Sequence, residues 1–155
     1  MTHCPDVQGL YYLIPFKRSE SFDRFIGGLI KAGLKVDSID YYKVNKENKM
    51  TGKEINEELF GKTIRGKRFG EMWSLKINNN GKSEKTWPSP GQKKFTVHIG
   101  NAWIEGNMLC QQYNTLYRKL KDCAEVYRNP HGDKKTLSQY ILWTDYWLYP
   151  ISVEN

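Results

Sequence analysis

The 155-residue sequence predicts an α+β chain that is mainly β: an antiparallel meander closing into a small β-barrel, with an N-terminal strand–helix segment and a short second helix. Three observations carry that prediction. Past residue 62 the apolar residues recur with period two, as in "EMWSLKIN", where Trp73, Leu75 and Ile77 share one face. Turn-forming Asn, Gly and Pro punctuate the same half at roughly 8–12-residue intervals. No helix-period segment there is long enough to carry a parallel crossover, so the strands must pair as antiparallel neighbours.

Taken in order, "GLYYLIPF" (9–16) reads as a short strand ended by Pro15, whose missing N–H confines it to an edge or terminus. "SFDRFIGGLIKAGL" then places Phe22, Phe25, Ile26, Leu29 and Ile30 on one helical stripe. Ser21 is the expected N-cap, Asp23 suits the positive end of the helix, and Gly33 is the expected stop. Gly27 and Gly28 each cost about 1 kcal/mol relative to Ala inside a helix, which points to close packing there. "KVDSIDYYKV" (35–44) alternates weakly as a strand, and "NKENK" is a polar linker. "TGKEINEELFG" carries a capping box between Thr51 and Glu54, so a short helix follows, closed by Gly61. The whole reads as one domain, 1–155: a strand–helix–strand segment at 1–50 and the barrel at 51–155.

In the barrel half, "NNNG" (78–81) makes a hairpin turn and "PSPGQ" a loop. "KFTVHI" is read with Phe95, Val97 and Ile99 inward and Thr96 and His98 outward. The runs "AWIE", "NMLCQQY", "DCAEVYR", "KTLSQYILWT" and "YWLYPISV" complete six to eight strands. If 107–114 and 121–128 form a hairpin, Cys110 and Cys123 stand opposite each other, at a separation a disulfide can bridge. A one-residue slip would put them on opposite faces. In an oxidising compartment the pair would be bonded, and in a reducing one it would pack as two small buried thiols.

Composition narrows the function classes. Aromatic content of 14% argues for a packed interior, and 24 Lys+Arg against 17 Asp+Glu give +7, a field that favours anionic partners without naming one. No run approaches the ~18 apolar residues of a membrane span, and "MTHCPDVQG" lacks a charged region followed by an apolar one. The expectation is a soluble chain without an export signal, cytoplasmic, or periplasmic if trimmed.

Few residues fall into a recognisable chemical pattern. His3, His98 and His131 match no metal-ligand spacing, and "GKTIRGKRFG" lacks the phosphate-loop pattern. Glu54, Glu57 and Glu58 look like helix-dipole partners, and Asp122, Asp133 and Asp145 sit in or beside turns. The sequence therefore names no catalytic residue, no metal ligand and no cofactor, and points away from an enzyme. Two binding readings stand beside ordinary core packing. In the first, Trp73, Phe95, Trp103, Tyr127, Tyr140 and Trp147 line a cup for a small hydrophobic or aromatic ligand. In the second, Lys62, Arg65, Lys67, Arg68 and Phe69 form a basic, aromatic edge for single-stranded nucleic acid.

The order of motifs also carries a resemblance. "YYLIPFKRSESFDRFIGGLIKAGLKV", "MTGKEINEELFGKTIRGKRFGEMW", the span Trp103–Cys110 and the span Cys123–Pro130 resemble the segment series of a C-terminal β-rich tail in bacterial adenylate/guanylate cyclase-related signalling proteins. The C-terminal half is similar to a small lipocalin-like bacterial family of unassigned function. The resemblance implies a lipocalin-like barrel serving as an accessory or sensory module, acting on a small ligand or through a partner protein. The cyclase catalytic domain has no counterpart here, so its activity is not implied.

Overall fold

A computed structural model describes residues 19–33, 39–68, 70–88, 95–115, 121–144 and 148–154. The strand expected at 9–16 lies outside them. Helix α1 (Ser19–Lys31) starts two residues before the expected cap, so Ser21 sits inside its first turn. Its end matches expectation: Gly33 takes φ 99°, and its N–H reaches Ile30 O at 3.0 Å. Ile26 is buried while Phe25 and Ile30 are exposed, so the apolar stripe is only partly covered. A Cβ on Gly27 or Gly28 would meet nothing within 4 Å, which corrects the expectation of close packing. Of the strand read at 35–44, residues 35–38 lie outside the described residues and the rest is corrected: Ile39–Tyr42 is a 3-10 turn, followed by a second at Lys46–Asn48.

Helix α2 (Gly52–Leu59) forms where the capping box predicts it. Thr51 Oγ1 accepts from Glu54 N, and Glu54 Oε2 accepts from Thr51 N at 2.7 Å. Eight strands follow: β1 (Thr63–Arg68), β2 (Glu71–Ile77), β3 (Lys82–Pro88), β4 (Phe95–Glu105), β5 (Met108–Tyr113), β6 (Asp122–Arg128), β7 (Tyr140–Trp143) and β8 (Leu148–Glu154). Each pairs antiparallel with the next and β8 pairs with β1, so the sheet closes. Closure satisfies both edges of every strand and leaves none open to aggregation. Pro150 stands opposite Ile141 of β7 and just outside the stretch that β8 shares with β1, which begins at Ile151.

Up-and-down order fixes the two ends. The β2–β3, β4–β5 and β6–β7 connections share one end, and α2 plugs it. Gly52 N donates to Asn107 Oδ1 at 2.8 Å and Gly61 N to Ile77 O at 2.8 Å, tying the helix to two of those turns. Gly52 must be glycine, because a Cβ would fall 2.7 Å from Ile104 Cγ2. Ile55 and Leu59 point from the helix into the barrel, where they meet Ile64, Leu75, Leu109, Val126 and Ile151. The last residues of β1, β3, β5 and β7 and the first of β2, β4, β6 and β8 stand at the opposite end, the mouth. A second apolar cluster forms on the outer wall, where Val44 and Tyr42 cover Tyr127, Ile141 and Leu148.

The phase of β4 is the reverse of the expected one. Phe95, Val97 and Ile99 point outward, each more than half exposed, and His98 points inward and is buried. Physically, β4 runs as one strand through Gly100 to Glu105, and its inward set is His98, Gly100, Ala102 and Ile104. Gly100 faces Tyr113 on β5, and a Cβ there would sit 2.8 Å from the Tyr113 ring. Small inward residues on β4 make room for the large ones opposite.

Candidate functional site

The barrel interior is stratified. At the plugged end it is aliphatic; at the mouth end it is aromatic and polar. Trp73 on β2, Trp87 on β3, Tyr113 on β5 and Tyr149 on β8 all point inward near the mouth. Their strands run in alternating directions, so residues early in β2, β6 and β8 and late in β3 and β5 share that level. Trp73 packs at 5.7 Å from Trp87 and edge-on at 6.0 Å from Tyr149, measured between ring centroids. Its indole lies over Gly66 on β1, whose missing Cβ leaves that space; a Cβ would fall 2.5 Å from the ring.

Between these rings sits Lys85, 5% exposed. Its Nζ lies 4.4 Å from the Trp87 centroid, 5.0 Å from Trp73 and 5.7 Å from Tyr113. Aromatic faces stabilise a desolvated ammonium by about 2 kcal/mol or more, which offsets part of the cost of burying the charge. Next to it on β4, in direct register, is His98, whose Nδ1 is 2.8 Å from Thr115 Oγ1. Burial, and secondarily the Lys85 charge, hold the imidazole below its ordinary pKa. On β5, Tyr113 donates its hydroxyl to Gln111 Oε1 at 2.6 Å, and burial pushes its phenol well up. Asp122 on β6 lies opposite Gln111, and burial pushes its carboxyl up to about 6, against the opposing pull of Lys85. Four consecutive strands thus bring a Lys, a His, a Tyr and an Asp to one level of the interior. Trp73 Nε1 is buried there with no hydrogen-bond partner among the described residues.

Of the residues expected to line a cup, Trp73 and Tyr140 point inward, at opposite ends. Phe95 and Trp103 lie on the outer face of β4 and Tyr127 on the outer face of β6, which corrects their placement. Trp147 lies outside the described residues. Lys85, Trp87, His98, Tyr113, Asp122 and Tyr149 were not picked out by that reading. The signal that could have found Lys85 is its spacing two residues before Trp87, which shares its phase. The basic stretch runs along β1: Arg65 pairs with Glu154 and Lys67 is exposed. Lys62 precedes the strand, while the Arg68 side chain and Phe69 lie outside the described residues.

The cysteines do stand opposite each other, and they are bonded. Cys110 on β5 and Cys123 on β6 are in direct register with Cα atoms 4.0 Å apart. They face outward, in register with Trp103, and not into the barrel. Glu105 lies nearby, but the bond consumes both sulfurs, so this trio offers no thiolate to a cation.

A concavity of about 380 Å³ lies beside the plug, lined by Asn48, Glu58, Arg128, Asn129, Gln139 and Tyr140 among others. Its polar groups are spent on structure. Arg128 pairs with Glu54 and Glu58, and Tyr140 donates to Glu58 at 2.7 Å. Asn129 and Gln139 bond the backbone at Ser138 and Val153. This is a latch for α2. Arg128→Met is expected to lower Tm by about 2–4 °C, the shift that about 1 kcal/mol gives in a chain of this size, read by thermal melting in circular dichroism. Thr51 and Arg128 hold the Glu54 carboxyl down at about 2, so its contribution is present above the unfolded value near 4.5 and lost as pH falls toward 2. An unchanged Tm in the variant would show that the latch is ornamental.

No protein-family model, no curated protein and no solved structure matches this chain.

Proposed function

We propose that this barrel is a non-catalytic small-ligand-binding module, taking an aromatic or apolar ligand through the mouth opposite α2. The observation that carries the reading is the stratified interior. An eight-stranded barrel is wide enough either to be filled by side chains or to hold one small ligand. Here the plugged half is filled by aliphatic residues, whereas the mouth half gathers four aromatic rings and several buried polar groups. Apolar walls with a few convergent polar groups are the usual make-up of a ligand site. The motif series resembling the cyclase-related tails supports an accessory or sensory role for such a module, with the bound ligand or a partner protein as its signal.

Titration with the neutral fluorophore N-phenyl-1-naphthylamine tests it. Quenching of Trp emission that saturates at one equivalent is expected, because Trp73 and Trp87 sit at the site. Trp87→Ala should weaken binding at least tenfold while Trp103→Ala, on the outer face, should leave it within twofold. Equal effects from the two substitutions, or no saturable quenching, would sink the reading.

A further inference from the structure

The mouth-end cluster has a chemistry more specific than an apolar cup. A buried ammonium stands among aromatic faces, and a carboxyl, an imidazole and a phenol are brought to the same level by β6, β4 and β5. We propose that the site takes a small aromatic carboxylic acid, its aryl group lying against Trp73 and Tyr149 and its carboxyl group sharing one proton with Asp122 beside the Lys85 ammonium. This rests on the ligand-binding reading above and adds to it the class of ligand.

Charge decides the ligand class. In a water-poor site one ammonium can balance one carboxylate, and a second carboxylate arriving beside the first would leave an uncompensated negative charge. The two carboxyls then hold a single proton between them, as paired carboxyls do elsewhere. Asp122 is suited to supply that proton because burial already raises its carboxyl to about 6. His98 is less suited, since burial and, secondarily, the Lys85 charge oppose its protonation. Tyr113, whose phenol is pushed up, stays protonated and keeps its bond to Gln111. Among the described residues these are the charged or titratable groups that β3, β4 and β5 bring to Asp122. The Trp73 indole N–H, buried without a partner among them, offers a donor to a carboxyl oxygen. The balance is simple: ligand carboxylate, Asp122 carboxylate and one proton from solvent give the bound pair, and no covalent bond other than O–H changes.

The test compares naphthalene-2-acetate with its neutral isostere naphthalene-2-acetamide, followed by Trp quenching and by calorimetry in buffers of differing ionisation enthalpy. The acid is expected to bind with constant affinity between pH 5 and about 6, then about tenfold more weakly for each further unit. Near pH 7.5 about one proton should be taken up per ligand bound. The amide should show neither effect. Asp122→Asn should flatten the acid's pH profile and keep its binding at pH 8, while Trp103→Ala, on the outer wall, should leave the wild-type profile in place. Equal, pH-independent binding of acid and amide would overturn the ligand class but leave the cup. Binding of the amide alone would do the same. Failure of both probes together with N-phenyl-1-naphthylamine would overturn the cup itself.

Discussion

Trp73→Ala is expected to cost about 3–5 kcal/mol of folding free energy, the range for deleting a large buried aromatic side chain. The ring is 2% exposed and touches a different strand on each side: Gly66 on β1, Trp87 and Lys85 on β3, and Tyr149 on β8. Its removal leaves a void that four strands of a closed sheet cannot jointly collapse to fill. It also strips one of three aromatic faces from a buried ammonium. Against a total stability of about 5–15 kcal/mol, the loss corresponds to a Tm lowered by about 6–20 °C. Trp73→Phe should cost markedly less, since most of the ring stays and an unpartnered buried N–H disappears. Urea unfolding followed by far-UV circular dichroism measures both. An alanine variant within 1 kcal/mol of wild type would mean the mouth-end rings are not packed as described.

The second large effect belongs to the Cys110–Cys123 bond. Bridging 13 positions, it removes loop-closure entropy from the unfolded chain worth about 3 kcal/mol. Cys110→Ser, Cys123→Ser and the double variant should therefore lose similar amounts, because each breaks the same bond. A reducing agent should shift the wild-type urea midpoint to the position of the variants and leave the variants unmoved. Because the sulfurs lie on the outer face, interior packing is untouched. Affinity for N-phenyl-1-naphthylamine should accordingly stay within twofold while stability falls. Coincident oxidised and reduced midpoints would show that the bridge does not constrain the chain.

How far each feature could be read before the fold was known follows from the range of the forces that set it. The α2 capping box, the Asn80–Gly81 turn and the inward face of β2 are decided by residues within a few positions of one another, and each stands where its local chemistry puts it. The cross-strand meeting of Cys110 and Cys123 needed one further assumption, the register, which the closed ladder supplies. The phase of β4 defeated local reading because its apolar residues face solvent and its histidine faces inward. Alternation reports two faces but not which is the inside, and here the interior at that level is the polar one.

The same reason separates the candidate residues. Hydrophobicity alone drew attention to Phe95, Trp103 and Tyr127, which closure of the sheet leaves on the outer wall, and passed over Lys85 and Asp122, which it turns inward. Pattern and turn chemistry sufficed to make this chain a run of antiparallel ribbons with a capped helix ahead of them. Which side of β3 and β4 is the inside is decided by the closed wall in which β8 pairs with β1, because only a closed wall can enclose a charge and the rings that hold it.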